Sequence, residues 1–352
     1  MAKITNLFKE KIYIFNREKG VFETEREMAD KIFSQFSNGI QNIEFVDANM
    51  HNDIFKVKSV DDEDYYLKLS LEDEPNFLKE HQILFQNFHK KVSPEPIVFG
   101  QLKDFGNINY SVITSIPTFN IKEYGIAEIL NNKKTIPEYL SLLTSFSHED
   151  VNLPTFNQYA NHYLTFDVFK VPDISINSFE SHENIKDVAK KQVVVLQKII
   201  AEKLNNLNLN KNHFCHGNLN QSTILGATNC LFFINFENAY LGDFLFEVLN
   251  LKYELFYSNH VENDILKYMN NDLKLDLNFS QLRLYKELSC YWNLLKICVD
   301  YLEEVFVLKS QRQNKILNIA ARLSKNYENF YQLPDFDKNF KPIAELFVES
   351  VI

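Results

Sequence analysis

The sequence predicts an α+β fold in two lobes, a small antiparallel sheet with one key helix followed by a large helical part. Three observations predict it. Short β-branched and aromatic runs are confined to roughly the first third of the chain. Beyond Pro117 the apolar residues recur at helical spacing almost to the end. The exception is a pair of short apolar runs at 222–234, which reads as a β-hairpin set into the helical part.

Taken in order, residues 24–36 (TEREMADKIFSQF) put Ala29, Ile32, Phe33 and Phe36 on one helical face, with Thr24 as N-cap and acidic residues in the first turn. The period then changes. IEFVDAN, DIFKVKSV and DYYLKLS are strand-like, and the polar turn DDED joins the last two into an antiparallel meander. A helix is expected over 75–90, where Phe77, Leu78, Ile83, Leu84 and Phe88 repeat and Pro75 suits the first turn. PIVFG and NYSVITS supply two more strands. The longest early helix is expected over 183–207, with Ile185, Val188, Leu196, Ile199, Ile200 and Leu204 on its buried face. Further helices are expected over 242–258, 279–308 and 311–330, and the Pro and Ser content of VPDISINSFES marks a loop. The implied division is a first lobe of residues 1–115, with 1–36 as a helical extension, and a second lobe of residues 116–352 carrying the hairpin region 213–236.

Composition narrows the function. The chain has 352 residues, 45% hydrophobic and 24% charged, which fits an ordinary globular protein with a large core. A net charge of -10 argues against a phosphate-backbone partner, so nucleic acid is not expected. Cys215, Cys230, Cys290 and Cys298 show neither a C-x-x-C pair nor metal-ligand spacing, and read as buried thiols in a reducing compartment. The amino-terminal stretch has no apolar signal core, and no run approaches the roughly 18 apolar residues of a spanning helix. A cytoplasmic protein without a membrane partner is the expectation.

The chemistry-bearing stretch is HFCHGNLNQSTIL (213–225), followed by CLFFINFENAYLGDFLFEVL (230–249). Phosphoryl transfer divides its work among a lysine for the phosphates, an acidic residue to orient it, a base for the acceptor hydroxyl and hard oxygen ligands for Mg²⁺. HGNLNQSTIL plus FINFENAYLGDFLFEVL resembles the aminoglycoside phosphotransferase and choline kinase-like family, whose pattern is H-G-D-x-x-x-x-N, a strand ending I-D-F/W, then G-D-P and a helix beginning with an acidic residue. The resemblance covers most of the chain from about residue 35 and implies a two-lobed protein-kinase-like fold. It places His216 and Gly217 at the start of the catalytic loop, Asn218 where the catalytic Asp belongs, Thr223 at the position of a metal-binding Asn, and Asn235 at that of the main Mg²⁺-binding Asp. Gly242, Asp243 and Glu247 match the end of the motif, with Phe244 in place of Pro. In the first lobe, Lys68 matches the phosphate-binding strand lysine and Glu80 its helix partner, while the loop DANMHND lacks the glycines of a phosphate cover.

The departures fall on the chemistry. An asparagine amide does not ionise near neutral pH, so Asn218 cannot serve as a carboxylate base. Asn235 removes an anionic oxygen that Mg²⁺ prefers, and Thr223 offers a neutral hydroxyl. Leu219, Ile224, Leu225 and Phe236 keep the family's packing character. The resemblance therefore implies a pseudokinase: a retained fold with ATP or another nucleotide as the implied ligand, weak Mg²⁺ binding, and a small-molecule or protein partner. The alternative is an active ATP-dependent phosphotransferase of a hydroxylated small molecule, with Glu237 or Asp243 taking over metal duties. Glu237 or Glu247 is a further candidate to lend a carboxylate to a displaced metal site, and structural roles stand beside these: His216 holding its loop, Asp243 capping the next helix, and His148 packing near a helix end.

Overall fold

Period-2 alternation in the first lobe builds the sheet from which the site is made. The computed structural model describes residues 21–48, 52–70, 76–116, 119–120, 135–149, 151–170, 180–207, 209, 212–220, 223–227, 230–255, 259–274 and 279–303, with residues 319, 322, 323, 326 and 330. After helix α1 (Glu23–Phe33) come β1 (Ile40–Ala48), β2 (Asp53–Ser59), β3 (Asp64–Ser70), helix α2 (Asn76–Asn87), β4 (Pro96–Leu102) and β5 (Ile108–Thr114). The strands form one antiparallel sheet in the order β1-β2-β3-β5-β4.

The two faces of the sheet have different covers. Phe55, Val57, Leu67, Leu69, Tyr110 and Val112 point toward α1, where they meet Met28, Ala29, Ile32 and Phe33 in one core. The alternate residues face α2, so Lys68, flanked by Leu67 and Leu69 and paired in register with Ile54 and Ser111, projects to that side. Helix α1 starts one residue before the expected Thr24 cap. Its flanking residue is Phe22, whose amide donates to the Glu25 carboxylate at 2.9 Å, and that reach-back satisfies the first turn in place of a threonine hydroxyl. Pro75, the expected opener of α2, lies outside the described residues.

The helical part contains α3 (Thr135–Thr144), α4 (Phe156–Leu164), α5 (Glu180–Leu204), α6 (Phe244–Leu255), α7 (Asn259–Asn271) and α8 (Leu282–Glu303). The expected hairpin is β8 (Ile224–Ala227) with β9 (Cys230–Phe233), joined by the short β6 (Phe119–Asn120), while β7 (His213–Cys215) pairs with β10 (Tyr240–Gly242). Helices α5 and α8 pack together, and α6 lies against α8 with Leu245, Val248 and Leu249 buried. Helix α5 buries Ala189, Val193, Leu196 and Ile200, a face rotated slightly from the expected one. Of the expected helix over 311–330, only residues 319, 322, 323 and 330 are described as helical.

Helix α2 is the hinge piece between the two parts. Ile83 and Leu84 enter the large core of the helical part, and the buried Asn87 amide donates at 2.8 Å to the Ser147 carbonyl while accepting the Ser147 amide at 2.8 Å. Position and tilt of α2 are thereby set from the second lobe, which matters because α2 carries Glu80. Among the described residues no helix is long and apolar enough to cross a membrane. Cys215, Cys290 and Cys298 are buried free thiols.

Candidate functional site

Four sequence-distant residues meet between the sheet and the hairpin. The Lys68 ammonium, with its side chain only 4% exposed, pairs with the Glu80 carboxylate from α2. It also donates to Glu237 Oε1 at 2.6 Å and lies 3.4 Å from Asn235 Oδ1. Burial by itself would lower the lysine's pKa, but the Glu237 and Glu80 carboxylates outweigh it and hold Lys68 firmly protonated. The second oxygen of Glu80 accepts the Phe236 amide at 3.1 Å, so one buried carboxylate ties α2 to the turn after β9. Lys79, the neighbour of Glu80, donates to the Ala239 carbonyl at 3.4 Å, and burial pulls its pKa down to about 8.

The turn after β9 has a local reason for its shape. Asn235 adopts the left-handed conformation at φ 64°, which asparagine tolerates better than most residues. That bend turns its side chain, and that of Glu237 two residues on, toward Lys68. Glu237 Oε1 also lies 3.4 Å from Asn52 Nδ2 of the loop between β1 and β2.

The loop after β7 is held by buried groups. Glu247 of α6 accepts the His216 amide at 2.9 Å and the Gly217 amide at 2.6 Å, and burial pushes its pKa up to about 7. His216 Nε2 donates to the Ile234 carbonyl at 2.9 Å, and Nδ1 accepts the Asn218 amide at 3.3 Å. Both ring nitrogens are committed to the backbone, and burial pulls the imidazole down to about 4, so the ring is neutral and structural. Gly217 sits at φ 81° with the Asn238 carbonyl directly where a Cβ would go.

The side chains of Asn218, Asn220 and Thr223 bond within their own loop. Thr223 Oγ1 donates to the Asn218 carbonyl at 2.7 Å and accepts the Asn220 amide at 2.9 Å. Asn218 Oδ1 accepts Asn220 Nδ2 at 3.1 Å. Asp243 caps α6 through the Leu245 amide at 3.0 Å and accepts the Tyr285 hydroxyl at 2.9 Å, which removes it from metal duty. His148 donates to the Phe146 carbonyl at 3.0 Å and packs near Phe214. Among the described residues no three His, Cys, Asp or Glu side chains converge as a metal site. One carboxylate already paired with a lysine, one amide and one hydroxyl spent on its own loop do not fit Mg²⁺, a hard cation that binds through carboxylates and keeps several waters.

A second opening, which sequence reasoning missed, lies behind Gly217. Tyr159 of α4 stacks on Tyr240 with centroids 4.3 Å apart, and its hydroxyl donates to the Gly217 carbonyl at 2.6 Å. Trp292, Asn293 and Lys296 of α8 and Glu254 of α6 complete the walls. No sequence signal marked it, because its lining residues come from α4, the loop after β7, β10, α6 and α8, which are far apart in the chain.

No protein-family model matches the sequence, and no curated protein matches it. Solved structures do. A choline kinase from Streptococcus pneumoniae superposes with TM-score 0.51 at 14% identity, over 85% of this chain and 100% of that one. An amicoumacin kinase, in complex with AMP-PNP, Ca²⁺ and Ami, gives TM-score 0.60 at 10% identity over 93% of this chain and 96% of that one. The fold is the protein-kinase-like fold of the aminoglycoside phosphotransferase and choline kinase type. An ethanolamine kinase from Plasmodium vivax, TM-score 0.53 at 18% identity over 96% of this chain and 95% of that one, has the same fold. Within this kinase-like fold, Lys68 and Glu80 form an ion pair that joins strand to helix, Lys68 reaches the turn at Asn235, and His216 bonds the residue before that turn.

Proposed function

We propose that the chain is a catalytically degenerate kinase-like protein that holds a nucleotide or a small molecule between its two lobes and acts through that binding or through a protein partner. The observation that carries this reading is the commitment of the loop's polar groups to the loop itself. The Thr223 hydroxyl is used between the Asn218 carbonyl and the Asn220 amide, and the Asn218 carboxamide bonds Asn220. Neither the base nor the metal-binding oxygens that phosphoryl transfer needs are supplied at these positions. A positioned base alone is worth about 10² to 10⁴ in rate. That solved structures of this fold carry AMP-PNP, ADP or AMP supports a nucleotide as the ligand. Lys68 is the residue that would meet its phosphates, by exchanging Glu237 for a phosphate oxygen.

One observation favours the second reading, an active kinase of a hydroxylated small molecule: Glu237 brings a carboxylate to the position beside Lys68 that Asn235 leaves uncharged. The deciding experiment is transfer of labelled γ-phosphate from ATP with Mg²⁺ to a panel of hydroxylated small molecules. The degenerate reading expects no transfer above that of buffer. Transfer to a defined acceptor that is lost in Glu237→Gln, while that variant stays folded, establishes the second reading instead.

A further inference from the structure

We infer that Lys79 is a positioning residue of the Lys68 site: when a ligand's phosphate takes Lys68, Glu237 passes from Lys68 to Lys79. This rests on the reading of the chain as a nucleotide-holding kinase-like protein and names how that site opens to its ligand.

Glu237 is the partner that has to leave. Both oxygens of Glu80 are committed, one to the Lys68 ammonium and the other to the Phe236 amide, and its side chain is 2% exposed. Glu237 holds Lys68 through Oε1 at 2.6 Å, and its side chain is 18% exposed. Once displaced, it would stand beside the incoming phosphate and the buried Glu80, with the neutral Asn52 amide, 3.4 Å from Oε1, as a donor. A carboxylate left among like charges in a half-buried place is strongly unfavourable. It needs a second cation.

Lys79 is that cation. It precedes Glu80 on α2, which packs against the turn Phe236–Asn238 that carries Glu237. The Lys79 ammonium donates to the Ala239 carbonyl at 3.4 Å, two residues beyond Glu237, and forms no ion pair among the described residues. An ammonium has three N–H donors, so two remain for a carboxylate. Burial lowers the pKa of Lys79 to about 8, while Glu237 and then Glu80 raise it, so the lysine already feels the Glu237 charge. The other titratable groups around α2 are engaged elsewhere. His81 bonds Ser111 Oγ of β5 at 3.0 Å and lies against the Phe99 ring of β4, and Lys68 is held by Glu80 and Glu237. The hand-over therefore moves one carboxylate between two lysines of a single cluster.

The test is calorimetric titration of the full chain and its variants with ADP, in the presence of a chelator and without metal. Lys79→Met is expected to weaken ADP binding about fivefold or more, because Glu237 then has only Lys68 to hold. In the Glu237→Gln background the same change is expected to alter affinity by less than about twofold. A loss of equal size in both backgrounds overturns the inference and makes Lys79 a direct phosphate contact; no loss in either overturns it as well. The proton balance is the second readout. At pH 8 about half of Lys79 is neutral, and gaining a carboxylate raises its pKa, so binding takes up at most about half a proton per ADP. The terminal phosphate of ADP, with its second ionisation at about pH 6, contributes almost none. Uptake is read by repeating the titration in two buffers of different ionisation enthalpy. Lys79→Arg keeps the cation but does not titrate in this range, so it is expected to bind ADP within about twofold of the parent and to take up no proton. Binding without uptake in the parent, or uptake that persists in Lys79→Arg, overturns the inference, and this pair decides alone should Lys79→Met not fold. ADP binding with an additive cycle defeats the inference and leaves the nucleotide reading standing; no binding in the parent or in Glu237→Gln defeats both.

Discussion

The Glu237 carboxylate lies 2.6 Å from the Lys68 ammonium, reaching it from two residues beyond Asn235. With Glu80 on the other side, a single buried lysine is shared by two carboxylates. Glu80 is wholly enclosed, whereas the Glu237 side chain is 18% exposed, so Glu237 is the partner that can be exchanged for a ligand's phosphate.

That asymmetry predicts an increase in nucleotide affinity on removing Glu237. A like charge this close to an incoming phosphate repels it by an amount on the order of kcal/mol even at the effective dielectric of a protein surface. In Glu237→Gln, calorimetric titration with ADP in the absence of metal is expected to show affinity at least about fivefold higher than in the unaltered chain. Unchanged or weaker binding would remove Glu237 from the role of competitor.

Removing the lysine has a structural cost that a loss-of-function experiment would misread. Lys68→Met leaves Glu80 buried and uncompensated, and breaking one side of a buried pair costs about 3 to 5 kcal/mol. Denaturant unfolding of Lys68→Met is expected to show that loss, and Lys68→Met combined with Glu80→Leu is expected to recover part of it. A Lys68→Met protein as stable as the parent would contradict the buried pairing.

Glu247 predicts a pH dependence with a definite sign. Its folded pKa of about 7 is above the ordinary carboxylate value, so the folded chain holds a proton that the unfolded chain releases. The group's contribution is full below about pH 4.5 and is lost as pH rises toward 7, a change of about 3 kcal/mol. His216 and His81 run the other way: burial pulls each down to about 4, so each destabilises the fold as pH falls from about 6.5. In the unaltered chain Glu247 offsets part of the histidine loss. Glu247→Gln is therefore expected to lose stability on acidification from pH 7 to 4.5 more steeply than the parent, as measured by denaturant unfolding at a series of pH values. Parallel profiles would show that Glu247 does not titrate in this window.

Gly217 predicts the sharpest local sensitivity. A side chain there would meet the Asn238 carbonyl and would have to adopt φ 81°. Gly217→Ala is expected to lose at least about 2 kcal/mol of unfolding free energy, against a few tenths for an alanine at the exposed Glu202 of α5. Equal effects at the two sites would contradict the loop geometry.

Much of the fold was legible because it rests on local periodicity. Alternation in DIFKVKS and DYYLKLS marked both strands, and the apolar stripe of α5 was visible within a small rotation. Helix α7 was not marked, although Val261, Ile265, Leu266 and Met269 recur at helical spacing in NHVENDILKYMNN and form the face it turns to the core. The start of α1 was misplaced because a carboxylate reaching back from Glu25 looks, in sequence, like any other first-turn acid. At the site, motif spacing located Asn218, Thr223 and Asn235, but spacing carries no hydrogen bonds. That Thr223 is consumed by its own loop, that Glu237 turns onto Lys68, and that Lys79 reaches the Ala239 carbonyl are facts of three-dimensional contact.

The degenerate reading is tested most directly by the metal dependence of nucleotide binding. Thermal unfolding of the full chain is measured with ATP and with ADP, each in the presence of Mg²⁺ and in its absence with a chelator. With Thr223 and Asn235 where an amide and a carboxylate would hold the metal, the expected result is a rise in unfolding temperature that is the same with and without Mg²⁺. A rise that requires Mg²⁺ and disappears in Glu237→Gln would contradict it, and would show that the kinase-like cleft still assembles a metal-nucleotide site.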